Sequence, residues 1–136
     1  MNELTLPAKI ENIEKVTAFV DEYLESIDFP IKIQLQIDIV IDELFSNIAY
    51  YAYDDSEIGE VTVKIGKKEH PDRIELSFTD NGKEYNPLKK EDPNVALSAE
   101  ERGIGGLGIF IVKKSMDEVL YDYVDGKNVI TVIKYF

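Results

Sequence analysis

The chain has 136 residues, a length typical of a single domain over residues 1–136. Its hydrophobic fraction of 44%, with eight tyrosines and six phenylalanines, excludes a disordered chain. The formal net charge of −12 argues against nucleic acid as a direct partner, since such a surface repels phosphate backbones. There is no cysteine, which excludes disulfides and thiolate chemistry. No leader peptide or membrane-spanning run is visible, so a cytoplasmic domain that does not enter a membrane is expected.

Hydrophobic periodicity along the chain predicts five strands and three helices. Alternation of apolar and polar residues indicates strands at residues 2–6, 60–67, 73–79, 117–122 and 128–135. Apolar spacings of three and four predict helices at residues 8–26, 33–53 and 106–115. Adjacent strands in this order mostly form hairpins. The pattern therefore favours an α/β (α+β) two-layer sandwich, with a mixed, mostly antiparallel sheet covered on one face by helices.

The helix predicted at residues 33–53 carries two polar residues at the edge of an apolar stripe. The stripe is formed by residues three or four positions apart, which are Ile37, Ile41, Leu44, Ile48 and Tyr51. Glu43 and Asn47 are four residues apart and therefore lie one above the other on a neighbouring face. One interpretation is a solvated pair on the helix surface. The other is a general base, Glu43, beside a metal ligand, Asn47.

A short polar segment, Asp80-Asn81-Gly82, follows the second strand of the predicted hairpin. Its residue types are common in simple turns, which is one interpretation. In the functional interpretation, a buried carboxylate at the strand end accepts a hydrogen bond from an exocyclic amine. The following glycine then lets a flat ring approach the backbone.

Four glycines lie between residues 102 and 109, directly before an apolar helix. A glycine-rich turn into a helix N-terminus presents free N–H groups and the positive end of the dipole, which suits phosphates. A hinge is the alternative. The run also matches G-x-G-x-x-G, but a polar loop precedes it and a hairpin follows it, which excludes a dinucleotide-binding fold. No Gly-Lys-Ser/Thr follows, so it is not a P-loop.

The polar segment at residues 82–102 is too long for a tight connection, which indicates a functional lid. Residues 91–102 are expected to become ordered when a phosphate binds at the adjoining glycines, and the alternative is a surface loop without a switching role. His70 is the only histidine and precedes Pro71 in a predicted turn. It is expected to be solvated, which argues against a histidine-dependent triad or metal cluster.

Together these segments resemble the N, G1 and G2 boxes of the GHKL (Bergerat-fold) ATPases. Within that superfamily the chain looks like the small bacterial anti-sigma factor serine/threonine kinases. The matching segments are IDELFSNIAYYAY at 41–53, DNGKEYNP at 80–87 and RGIGGLGIFIVKKSMDEVLY at 102–121. Glu84 replaces the second glycine of the wider D-x-G-x-G pattern, whereas Tyr85-Asn86-Pro87 suits the anti-sigma branch.

The resemblance implies a histidine-kinase-like ATPase fold that binds ATP and Mg²⁺. It implies that Glu43 is the general base, that Asn47 is the Mg²⁺ ligand, that Asp80 holds the adenine amine and that Gly82 lies against the adenine ring. The remaining implied nucleotide contacts form one glycine-rich run, which consists of Arg102, Gly103, Gly105, Gly106, Leu107 and Gly108.

The resemblance also implies an activity and partners. The expected function is an ATP-dependent serine/threonine protein kinase that phosphorylates a serine on an anti-anti-sigma (STAS-type) antagonist and sequesters a sigma factor, as a homodimer. Two alternatives stay open: a non-catalytic, nucleotide-gated partner-binding module, and an ATPase that drives a conformational cycle. Glu43 favours catalysis, because a pure binding module has less use for a base at that position.

Overall fold

The computed structural model describes residues 1–54, 59–89 and 107–136. Its five strands form one sheet in the order β1-β2-β3-β5-β4. The strands are β1 (Asn2–Pro7), β2 (Glu60–Lys68), β3 (Arg73–Asp80), β4 (Glu118–Val124) and β5 (Lys127–Tyr135). The predicted sandwich and all five predicted strands are confirmed, with ends shifted by no more than two residues.

The sheet is antiparallel throughout its described strands, rather than mixed as the sequence suggested. The reason is the position of β5. Strands β3 and β4 run in the same direction, so they would form a parallel pair if they were neighbours in the sheet. However, the tight turn at Asp125-Gly126, with φ of 54° and 76°, folds β5 back between them. Positive φ at both turn residues is typical of a two-residue hairpin.

Three helices cover one face of the sheet: α1 (Ile13–Ser26), α2 (Ile31–Tyr51) and α3 (Leu107–Ser115). The predicted start of the first helix at residue 8 is wrong, because a 3₁₀ turn at Ile10–Asn12 precedes α1. There the Asn12 side chain donates to the Pro7 carbonyl at 2.8 Å, and Lys9, just before the turn, has an extended backbone.

Helix α2, predicted at residues 33–53, begins and ends two residues earlier than predicted and starts directly after Pro30. It ends before Tyr53, whose hydroxyl instead donates to the Glu60 carbonyl at 2.8 Å and accepts from the Asn81 N–H at 2.9 Å. The predicted buried stripe of α2 is confirmed except at its last position, since Tyr51 is 47% exposed. Ala52 is buried in its place.

The core lies between the helices and the inner face of the sheet. Its largest fully buried side chains are Phe45, Phe78, Leu24, Ile37, Ile41, Leu44, Ile65, Ile74 and Leu76. The strands alternate buried and half-buried or exposed residues, so one face of the sheet is apolar. None of the helices in the described ranges covers the other face. No helix in the described parts of the chain is long and apolar enough to cross a membrane.

Candidate functional site

Asp80 is the last residue of β3 and, among the described residues, is the only buried one with a charged side chain, with 4% of its surface exposed. Two donors reach its Oδ1: the Gly82 N–H at 2.8 Å and the Asn128 Nδ2 at 3.0 Å. Within the described chain no hydrogen bond ends on Oδ2. Burial raises the pKa of this carboxyl, and the two donors oppose that rise. Asp80 is therefore a fixed carboxylate with one oxygen available to a ligand.

Asn128 orients this carboxylate, and the sequence analysis did not identify it. It lies directly opposite Asp80 on β5 and is 7% exposed. Its Nδ2 also donates to the Lys83 carbonyl at 2.9 Å, and its Oδ1 accepts from the Tyr85 N–H at 3.1 Å and from the Tyr121 hydroxyl. These contacts fix the direction of the amide. The available signal was an asparagine at an inward position of β5, in register with the buried residues of that strand.

A mostly apolar pocket opens beside Asp80, between the end of β3 and the C-terminal half of α2. Its empty volume is about 430 Å³, including the opening to solvent. The pocket is lined by Leu44, Asn47, Ile48, Ala52, Phe78, Asp80, Lys83, Tyr85, Pro87, Tyr121, Asn128 and Ile130. An apolar wall with a few convergent polar groups is the usual form of a small-molecule site, and it suits a flat ring that carries one polar edge.

Of the two polar residues predicted on α2, one lines this pocket and the other lies one helical turn before it. Asn47 lines the pocket, and Glu43 lies one helical turn earlier. Glu43 also meets α3, because a Cβ added at Gly108 would lie 2.0 Å from Glu43 Oε2. The structure thus brings together two residues that are 65 positions apart in sequence. Burial, followed by the charge of Asp42, raises the pKa of Glu43.

Gly82 has a structural role that the sequence did not reveal. A Cβ at this position would lie 2.2 Å from the Ala52 carbonyl oxygen and 2.6 Å from the Ala52 Cβ. The same carbonyl accepts from the Lys83 N–H at 3.0 Å. The loop after β3 is therefore packed against the end of α2. Its predicted contact with an adenine ring stays a prediction.

Several predicted residues cannot be placed at this pocket. Arg102, Gly103, Gly105 and Gly106, together with the lid predicted at 91–102, lie outside the described residues. Leu107 begins α3, and Gly108 is the second residue of that helix. His70, predicted to be solvated, is exposed in the turn between β2 and β3.

The fit of a metal ion depends on oxygen donors near Asn47. In the described residues no group of three or more carboxylate, histidine or cysteine side chains could hold a metal ion by itself. An asparagine carbonyl on a pocket wall matches the way Mg²⁺ is usually held, by one or two protein oxygens together with phosphates and waters. The donor set present here therefore fits Mg²⁺ that arrives with a nucleotide.

Comparison with known proteins identifies the family. The sequence model described as histidine kinase-like ATPase domain matches residues 6–134. The chain therefore belongs to the histidine kinase-like ATPase domain family. This membership implies the use of ATP.

Relatives within the family are named serine kinases. The chain is 29% identical over 131 residues to the serine-protein kinase RsbW of Listeria innocua, and the match covers 93% of this chain and 82% of that protein. It is 25% identical over 126 residues to the serine-protein kinase RsbW of Oceanobacillus iheyensis, with coverage of 86% and 75%. These matches support the predicted resemblance to anti-sigma factor kinases.

A solved structure supports the fold. A chain of the SiaB–SiaC complex from Pseudomonas aeruginosa superposes with a TM-score of 0.60 at 18% identity. The superposition covers 98% of this chain and 89% of that chain. The two-layer architecture is therefore shared between the two proteins.

Proposed function

We propose that this chain is an ATP-dependent serine/threonine protein kinase of the anti-sigma factor type. Its substrate is a serine on an STAS-type anti-anti-sigma protein, and in its other bound state it sequesters a sigma factor. The observation that carries the proposal is the fixed carboxylate of Asp80 at one end of an apolar pocket, with Asn47 on the pocket wall. The names of the relatives supply the reaction class.

Adenine recognition follows from the polarity of this pocket. The adenine ring is flat and apolar on both faces, and its exocyclic amine is a donor. Oδ2 of Asp80 receives no hydrogen bond from any residue that the structure describes, and it is an acceptor. The pocket around it is lined mainly by apolar and aromatic groups. Guanine carries a carbonyl at the equivalent ring position and would place an acceptor against a carboxylate. The pocket therefore favours ATP over GTP, because an unpaired buried acceptor is unfavourable by about 1–3 kcal/mol.

Asn47 supports binding of the nucleotide's metal ion. Its side-chain carbonyl is a hard oxygen donor on the pocket wall, and Mg²⁺ takes oxygen ligands in octahedral geometry. Bound Mg²⁺ neutralises charge on the transferring phosphoryl group, which is the main electrostatic requirement of phosphoryl transfer. Asn47 is neutral, so it holds the ion without adding a negative charge beside the phosphates.

Glu43 is the proposed general base. It lies one turn before Asn47 on α2 and against the first turn of α3, where the glycine-rich run ends at Gly108. The pKa of Glu43 is raised toward neutral pH, and a carboxylate with a higher pKa is a stronger base. The carboxylate would take the proton from the acceptor serine hydroxyl as the hydroxyl attacks, and such base catalysis is typically worth about 10²–10⁴-fold in rate.

The proposal includes the oligomeric state and the location of the protein. By family resemblance the kinase acts as a homodimer in the cytoplasm, where sigma factors and their antagonists are found. The net charge of −12 is compatible with sigma factors as partners, because the DNA-binding parts of proteins are commonly basic.

Phosphotransfer to an isolated partner tests this proposal. STAS-type proteins from the same genome are incubated with the chain and γ-labelled Mg²⁺-ATP, and the label is mapped by mass spectrometry. The expected result is one phosphoserine on one STAS-type protein, with no transfer by Glu43→Gln. Binding of ATP and of that partner without transfer would instead indicate the non-catalytic, nucleotide-gated module.

A further inference from the structure

Two carboxyl groups face each other between helices α1 and α2, away from the nucleotide pocket. Asp21 is on α1 and Asp38 is on α2, and the two helices pack against each other. The two side chains are close enough for Asp21 to raise the pKa of Asp38 through a hydrogen bond and through its charge. Neither residue lines the pocket that contains Asp80. The pair is therefore separate from the proposed catalytic function and from every residue assigned to it.

The surroundings of the pair do not compensate two negative charges. Oδ1 of Asp21 and Oδ1 of Asp38 are both buried, and no donor in the described residues reaches either atom. Within the same described residues neither carboxyl forms an ion pair with lysine or arginine. Two ionised carboxylates offer only acceptors, so they repel one another at this distance. A pair that shares one proton contains an O–H donor and forms a hydrogen bond instead.

We propose that Asp21 and Asp38 share one proton and form a pH-dependent hydrogen bond between α1 and α2. When the proton is present, an O–H···O bond joins the two helices. When it is lost, two like charges face each other across the same interface. The apolar residues Val16, Val20 and Leu24 of α1 remain buried in both states, so the pair modulates this packing and does not replace it.

The charged groups around Asp38 all act in the same direction. Burial contributes most to the raised pKa of Asp38, followed by the hydrogen bond and the charge of Asp21 and by the charge of Glu25, one turn later on α1. Together they raise the pKa of Asp38 to about 7. No charged group of α3 or of the sheet, among the described residues, is a cause of this shift. The proton is therefore exchanged within the physiological pH range.

The direction of the stability change follows from proton linkage. Because the pKa of Asp38 is higher in the folded chain than in the unfolded chain, the folded state binds more protons between about pH 4 and pH 7. Stability therefore falls as the pH rises through this range and levels off above pH 7. An amide at either position cannot ionise, and it supplies the missing donor permanently.

Thermal unfolding of the full chain between pH 5 and pH 8.5 tests this pH-dependent hydrogen bond. We expect Asp38→Asn and Asp21→Asn each to flatten the dependence of Tm on pH and to raise Tm at pH 8 by roughly 4 °C. The double variant should give no further gain, because the two residues share one proton. The control is Glu22→Gln, which removes an exposed carboxylate from the same helix and should retain the wild-type slope. A wild-type slope in Asp38→Asn would overturn the proposal.

Carboxyl NMR of the wild-type chain gives a second test that requires no stable variant. The ¹³Cγ resonance of Asp38 should titrate with a midpoint near pH 7. A midpoint near the ordinary aspartate value of about 3.9 would show that no proton is shared and would overturn the proposal.

Discussion

Replacement of Asp80 by asparagine is the perturbation whose outcome the structure defines most closely. The Gly82 N–H and the Asn128 amide both donate to Oδ1 of Asp80. An asparagine must therefore place its oxygen at the Oδ1 position, since the opposite orientation would put an NH₂ group against two donors. Its NH₂ group then points into the pocket, toward the exocyclic amine of adenine. The substitution replaces one acceptor by one donor and leaves the shape of the site unchanged.

The expected loss of ATP affinity follows from this donor–donor contact. Leaving buried polar groups unpaired is unfavourable by about 1–3 kcal/mol, which corresponds to a roughly 5- to 150-fold weaker Kd. Discrimination between ATP and GTP should fall as well, because the guanine carbonyl would now meet a donor. Isothermal titration calorimetry with each nucleotide measures both effects.

Stability measurements separate this loss from misfolding. Because burial raises the pKa of Asp80 in the folded chain, its ionisation opposes folding at pH 7, and the uncharged amide should maintain or raise Tm. Asp72→Asn, an exposed substitution next to the opposite end of β3, is the control and should leave both affinity and Tm unchanged. An unchanged ATP affinity in Asp80→Asn, with the protein folded, would refute the assignment of this carboxylate to adenine.

The other predictions concern α2 and the two glycines packed against it. Glu43→Gln should retain ATP binding and slow single-turnover phosphotransfer by about 10²–10⁴-fold, and a wild-type rate would require another base. As the pH is lowered, wild-type transfer should begin to decline at a pH above the usual titration range of glutamate, because the pKa of Glu43 is raised and the base must be ionised. Asn47→Ala should abolish the Mg²⁺-dependent part of ATP affinity in calorimetry with and without EDTA, and an unchanged Mg²⁺ effect would remove it as a ligand. Gly82→Ala should lower stability by about 1–3 kcal/mol, because its Cβ meets backbone of Ala52, as measured by urea unfolding. Gly108→Ala meets only the end of the Glu43 side chain, so it should slow transfer with little change in stability, and equal destabilisation by both alanines would contradict this distinction.

The fold was accessible from the sequence because its elements are set by local periodicity. The strands alternate with period two, and both the predicted hairpin of β2 and β3 and the buried stripe of α2 are confirmed. Element ends were less accessible, because they depend on single side-chain contacts. The Asn12 side chain joins the turn before α1 to Pro7, and Tyr53, just beyond α2, forms hydrogen bonds to two other segments.

The inner parts of the candidate site depend on contacts between distant residues, which periodicity does not encode. The sequence suggested Asp80 from its position at a strand end, but the group that orients it, Asn128, is 48 residues away and reaches it only through the register of β3 and β5. The contact between Glu43 and Gly108 depends in the same way on the packing of α2 against α3. The motifs identified Asp80, Glu43 and Gly108 individually, whereas the tertiary fold determines what each of them contacts.

A crystal structure of the chain with Mg²⁺ and a non-hydrolysable ATP analogue tests the proposed site most directly. We expect the exocyclic amine of adenine at hydrogen-bonding distance from Asp80 Oδ2, with Asn128 still donating to Oδ1. We also expect Asn47 Oδ1 about 2.0–2.1 Å from Mg²⁺ and the Glu43 carboxylate facing the γ-phosphate. A nucleotide bound outside this pocket, or an adenine whose amine does not contact Asp80, would contradict it.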